Sequence, residues 1–130
     1  MQLMTKAIVQ RFCRVGRQDH ADAEVVVKFF TPWSNWTWYA TAATLIMADG
    51  RAVEAEQASV EERRAWQDLE FFGFVQGLEA EYGYFRLSEL QSIRGPRGLT
   101  VERDLYFDGV RLRDLVGSMN TSEGNGRETE

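Results

Sequence analysis

At 130 residues the chain has the length of one domain, enough to bury a core without metal or disulfide staples. Its 44% hydrophobic and 27% charged residues are ordinary for a globular protein. A net charge of −5 argues against general nucleic-acid binding, where Lys and Arg on phosphates supply most of the affinity, though a local basic site stays compatible with it. Cys13 is the sole cysteine, which excludes an intrachain disulfide and a thiolate metal cluster. The weakly polar run from Tyr39 to Ala48 is interrupted by threonines and falls well short of the ~20 apolar residues of a membrane span. The N-terminus shows no charged leader followed by an apolar stretch, so a cytoplasmic location is expected.

Thr5 is placed to cap a first helix over 6–15, with Ile8, Val9, Phe12 and Val15 at amphipathic spacing and Gly16 to end it. Residues 17–23 read as a polar linker. Residues 24–31 alternate as a strand, Thr31-Pro-Trp-Ser-Asn35 as a turn, and 36–41 as the returning strand. Both faces of this hairpin are apolar or aromatic, and it holds three of the four tryptophans. Residues 49–68 form a polar, acidic insert that is either a loop or a short helix, the latter favoured locally by the capping-box spacing of Ser59 and Glu62. Residues 69–76 and 82–87 are predicted strands joined by a turn. Ser88-Glu-Leu-Gln91 reads as a capping box opening a short helix that stops at Gly95-Pro96. A further strand over 99–107, interrupted by Glu102-Arg103-Asp104, and a last helix capped by Asp108 and closed by Gly117 complete the domain, 1–117. Residues 118–130 read as a disordered tail. The expected fold is α+β: a mostly antiparallel twisted sheet of four to five strands with two to three helices packed on one face.

Several of these segments together resemble a bacterial family known only as domain of unknown function 2958. The resemblance runs through Lys28-Phe-Phe-Thr-Pro-Trp33, Asn35-Trp-Thr-Trp-Tyr-Ala40 and Glu70-Phe-Phe-Gly-Phe-Val-Gln-Gly-Leu-Glu79. It continues in Glu81-Tyr-Gly-Tyr-Phe-Arg-Leu-Ser-Glu-Leu90, Arg94-Gly-Pro-Arg-Gly-Leu99 and Val101-Glu-Arg-Asp104, spanning roughly 3–115. The insert is longer and more acidic than the resemblance leads one to expect. It implies no activity; it implies a habitat on plasmids, integrative elements and phages, among genes for transfer or for countering host defence.

Catalytic chemistry finds little to build on. His20 is the sole histidine and sits in the polar linker, and Cys13 lies beside Phe12 on the first helix, so a nucleophile–base pair has one base to draw on. Glu70, Glu79, Glu81, Glu102 and Asp104 flank strand ends; two of them converging would give an acid–base pair or a Mg²⁺ site, against the simpler reading as ion-pair or capping groups. No metal site and no cofactor is expected. Arg94, Arg97 and Arg103 are candidates for anion binding, although a helix stop followed by a turn explains Arg94-Gly-Pro-Arg-Gly98 equally. Glu102-Arg103-Asp104 is alternatively an ion-pair set with Arg94 or Lys28.

Trp33, Trp36 and Trp38, extended by Tyr82 and Tyr84 and rimmed by Lys28, are the candidate interaction surface. Burial is expected for Trp36 or Trp38 and partial exposure for Trp33. Glu54, Glu56, Glu61 and Glu62 are candidates to meet a basic surface on a partner, against the plainer reading as a solvated face. The expected function is a small non-enzymatic protein of a mobile element that binds a protein partner stoichiometrically, such as a CRISPR or restriction nuclease complex that it inhibits. Two alternatives are carried: a single-stranded nucleic acid or nucleotide binder using Trp33 and Trp36 with Lys28, Arg94, Arg97 and Arg103, and a carboxylate enzyme assisted by a metal.

Overall fold

Helix α1, Lys6–Val15, begins where the Thr5 hydroxyl accepts a hydrogen bond from the Ile8 amide at 3.2 Å. It ends at Gly16, whose φ of 70° suits a residue without a side chain and whose amide closes on the Phe12 carbonyl. The computed structural model describes residues 2–116. Six antiparallel strands follow: β1 (Val27–Phe30), β2 (Thr37–Ile46), β3 (Ala52–Glu54), β4 (Asp68–Gln76), β5 (Ala80–Arg86) and β6 (Glu102–Arg103). Between and after them lie α2 (Val60–Ala65), α3 (Leu87–Ser92) and a fourth helix, α4, at 112–116 of the described residues. The strand order is β5-β4-β2-β1-β6, with β3 pairing the far half of β2 on the edge that β1 leaves uncovered. The fold class is α+β, as expected.

Strand β2 organises the sheet and runs past the expected end at Thr41 because of a bulge there. Ala40 pairs with Gly73 and Ala42 with Phe72, so Thr41 is an extra residue that resets the alternation. Before it Trp38 and Ala40 face the core; after it Ala43 and Leu45 do. The bulge is clasped by Gln18, a buried side chain in what the sequence offers as a polar linker. Its amide donates to the Glu24 and Thr41 carbonyls and accepts from the Glu24 N–H, while the Thr41 hydroxyl donates to the Gln18 carbonyl at 2.7 Å. Gly73 admits the close approach: a Cβ there would stand 1.8 Å from the Tyr39 carbonyl oxygen.

The main core lies between one sheet face and helices α1 and α3. Phe71 is its centre, with ring centroids 5.6 Å from Phe12, 5.7 Å from Phe29 and 5.4 Å from Phe85. Full burial of each such side chain contributes about 1.5–3 kcal/mol. The opposite face carries a second, smaller cluster in which Tyr39, Phe74, Ala23 and Val25 meet Leu112, with Phe107 and Leu115 packed alongside.

That second cluster corrects several expectations. The helices do not all lie on one face, since α4 covers Tyr39 and Phe74 from the other side. Asp108 does not cap α4. Residues 108–111 instead run extended beside 23–25, with Val25 N–H on the Val110 carbonyl and Leu112 N–H on the Ala23 carbonyl, so the helix can begin only at 112. The strand expected over 99–107 shrinks to Glu102–Arg103, because Pro96–Gly98 forms a tight 3₁₀ turn and Asp104 starts another turn. Ser88 is not the cap of α3. The helix starts at Leu87 with Arg86 in the cap position, two residues earlier; Glu89 accepts from the Arg86 amide at 3.0 Å, and Ser88 bonds Asp68 instead. The acidic insert holds β3, a 3₁₀ turn at Ala55–Gln57 and α2; Ala55 and Ala58 enter the main core. The expected tail, 118–130, and Gly117 lie outside the described residues.

Candidate functional site: a tryptophan groove at the end of the sheet

The turn from β1 to β2 is tightened by Thr31, whose N–H bonds the Trp36 carbonyl at 3.0 Å and whose hydroxyl meets that of Ser34. It therefore projects Trp33 and Trp36 at fixed positions over the end of the sheet. Each indole lies against a glycine from a neighbouring loop. A Cβ at Gly95 would be 2.3 Å from Trp33 Cδ2, and one at Gly77 would be 2.4 Å from Trp36 Cζ3. Trp36 also stacks on Trp38, centroids 5.8 Å apart and planes 29° apart. Trp38 is 6% exposed and belongs to the core, Trp33 is half-buried, and Trp36 is 39% exposed. The three rings and Ile93 enclose an open groove of about 430 Å³, rimmed by Thr31, Ser34 and Arg94. An indole laid flat on backbone leaves an apolar hollow beside it, where an indole standing on a side chain would fill the space. Arg94 is held in place at this rim: one guanidinium nitrogen, Nη1, donates to the Gln91 and Ile93 carbonyls.

The other expected members of this surface are elsewhere. Trp38 pairs across Val75 with Glu81, so Tyr82 and Tyr84 project from the opposite face, where their rings pack edge-on against Phe74 and Phe72 at 5.4 and 5.2 Å. Tyr82 and Tyr84 are 49% and 70% exposed, but they form a separate aromatic surface instead of an extension of the tryptophans. Lys28 is on that second face too, 3.5 Å from Asp104 and over the Tyr39 ring. The ion pair expected for Lys28 is thus with Asp104, and Lys28 does not rim the tryptophans.

Of the three arginines proposed for an anion, Arg94 lines the groove, Arg97 is exposed on the 3₁₀ turn with φ of 58°, and Arg103 is half-buried in β6 opposite Phe29. The acidic candidates also divide. Glu62 closes the α2 capping box and accepts from Arg51; the Ser59 amide and Arg51 hold its carboxyl below the ordinary range. Glu56 packs beside Gly16, and Glu54 is exposed at the end of β3, and Glu61 is exposed in the first turn of α2. Among the described residues no three of His, Cys, Asp and Glu converge on a point. Glu70 is paired with Arg86 at 3.4 Å, and burial pushes the Cys13 thiol up, the opposite of an activated thiolate. No helix among the described residues is long and apolar enough to cross a membrane.

Sequence reasoning did not single out Gly77, Gly95 or Ile93, which shape the groove, nor Trp66, which lies on the same side of the molecule. Glycine before a turn reads as turn chemistry, and only the tertiary placement of the indoles gives it the second role. Residues 66–120 match a family model described as Protein of unknown function (DUF2958). No curated protein and no solved structure matches. The matched segment is shorter than the 3–115 over which the resemblance runs. It takes in both glycine seats and leaves Trp33 and Trp36, which rest on them, outside together with Trp38.

Proposed function

The chain belongs to the DUF2958 family through its segment 66–120, and from that premise we propose that it is a binding protein whose tryptophan groove docks a protein partner. The observation that carries this reading is the rigidity of the groove: two partly exposed indoles are fixed by glycine seats and by stacking on a buried third. Indoles held this way are suited to be binding anchors, because little side-chain entropy is lost when they are covered. The occupant is a partner loop that lays one large apolar side chain over Trp38 and presents a carboxylate to Arg94, the one charged side chain at the groove.

The setting that the resemblance implies, on plasmids, integrative elements and phages, makes a host or element-encoded protein the partner. A CRISPR or restriction nuclease complex inhibited by stoichiometric occupancy is the class we favour. The reading in which Trp33 and Trp36 stack bases has less support, because Lys28 is committed to Asp104 on the other face.

Panning a displayed random-peptide library against the wild-type protein and Trp33→Ala is the direct test. Selected peptides are expected to share a large apolar residue flanked by Asp or Glu, and to bind Trp33→Ala about 30-fold more weakly, the effect of a central anchor worth ~2 kcal/mol. Equal enrichment on both proteins rejects the groove as the docking site. Cleavage assays on purified defence nucleases then test the class: inhibition saturating at a fixed molar ratio supports it, and undiminished cleavage in large molar excess removes it.

A further inference from the structure

Two grooves open on either side of Trp66, where the chain passes from α2 to β4. One, of about 350 Å³, runs between the N-terminal segment and α3; the other, of about 320 Å³, runs between α1 and α2. They share Gln2, Met4 and Trp66 as a common wall, so they form one cleft with an indole at its middle. Trp66 packs one part of its ring against the main core and is half-buried, which fixes it as a platform.

The charge of this cleft departs from that of the protein around it. Lys6, Arg63 and Arg64 line one groove and Arg94 the other, and no carboxylate lines either among the described residues. Elsewhere Arg11, Arg17, Lys28, Arg51, Arg86 and Arg113 each hold a carboxylate. None of the four cleft bases has an ion pair within 4.0 Å among the described residues, and the Arg63 Nε is buried without a hydrogen-bond partner. A chain of net −5 thus keeps four cations together, unneutralised by its own acids. Beside Thr5 and Thr100 the remaining polar lining is amide: Gln2, Gln10, Gln67 and Gln91, whose side chains have no protein partner among the described residues.

We propose that this cleft binds single-stranded nucleic acid, with Trp66 stacking one base and Lys6, Arg63, Arg64 and Arg94 meeting the phosphates on either side of it. A cationic track interrupted by an aromatic platform is the arrangement that holds single strands without sequence preference, each stacked base contributing about 1–3 kcal/mol. The glutamine amides carry both a donor and an acceptor and so can pair with base edges. An acidic peptide would use the cations, but it has no need of an indole face at the middle or of four amides around it. The assignment is independent of the tryptophan groove, although Arg94 stands at the border of both.

The test uses the full chain and a short fluorescein-labelled oligothymidylate, titrated by anisotropy over a series of salt concentrations. Affinity is expected to fall steeply with salt. The Arg63→Gln/Arg64→Gln double variant should weaken binding at low salt at least tenfold and reduce the slope of log K against log salt by about 1.4, at about 0.7 per phosphate contact on a single strand. Lys6→Gln, on a different helix and at an exposed position, should reduce it by about 0.7. Trp66→Leu, which keeps apolar bulk on the core, should cost several-fold at all salt concentrations. Trp33→Ala should leave these values unchanged, which separates this site from the docking groove. The proposal is overturned by absence of binding at low ionic strength, by unchanged slopes in the charge variants, or by oligoglutamate displacing the probe at lower concentration than unlabelled oligothymidylate does. The last result would assign the cleft to an acidic peptide.

Discussion

The two sheet faces each expose a row of aromatic rings, and they differ in what lies beneath the rings. On one face Tyr82 and Tyr84 stand edge-on against Phe74 and Phe72, side chain on side chain, and the surface is filled. At the end of the other, Trp33 and Trp36 lie flat on Gly95 and Gly77, and the space that a side chain would occupy remains as a groove. Exposure alone would rank Tyr84 above Trp36 as an interaction residue, at 70% against 39%. Concavity reverses the order. An exposed ring becomes a credible anchor site where the backbone beneath it is bare.

Methyl groups added to glycines put this comparison at risk in graded steps. Gly73→Ala, at the bulge that both faces depend on, should be the most damaging, because backbone and not a mobile side chain blocks the Cβ. Loss of about 3 kcal/mol or more is expected from urea unfolding; a value under 1 would mean that the bulge relaxes freely. Gly95→Ala meets a ring that can swing away, so a cost of about 1–2 kcal/mol is expected, with a changed tryptophan emission spectrum and loss of peptide binding at the groove. Unaltered emission would show that Trp33 does not rest there.

On the tyrosine face, burial and then Asp104 push the Tyr39 phenol above its ordinary value of 10.0. An unfolded chain releases this proton first, so stability should be complete below pH 10 and decline as pH rises through the raised folded value. Burial likewise lifts Cys13 above 9.0, which starts the decline earlier. Tyr39→Phe should flatten the upper part of that alkaline limb and leave the Cys13 part; an unchanged limb would contradict the burial of Tyr39. Gly83→Ala, in β5 with nothing within 4 Å of the added carbon, should change stability least, by less than about 0.5 kcal/mol and in the stabilising direction if at all.

Much of this architecture is readable from local chemistry. Thr5 and Gly16 bound α1 because caps act within one turn, and the alternating runs that become β1, β4 and β5 declare themselves because each side chain has one face to choose. What escapes reading depends on distant partners. The second half of β2 is obscured by Thr41, whose extra place in the ladder makes the pattern look finished. The start of α4 is set by pairing with residues 23–25, which no local pattern announces. The tryptophans are conspicuous as a cluster, yet their separation from Tyr82 and Tyr84 is decided by the register of three strands, which no local pattern gives. Trp66 is a lone aromatic at a helix end, and Arg63 and Arg64 beside it directly follow Glu61 and Glu62, so the segment reads as acidic and its cationic side stays hidden.

The Gln18 clasp at Thr41 holds in place a residue that the ladder itself does not need. Removing Thr41 would set Ala40 and Ala42 side by side opposite Gly73 and Phe72, so that Ala43 and Leu45 still face the helices and only the clasp is undone. A single codon lost at this point therefore leaves the pairing intact, while one gained would turn over half the sheet's longest member.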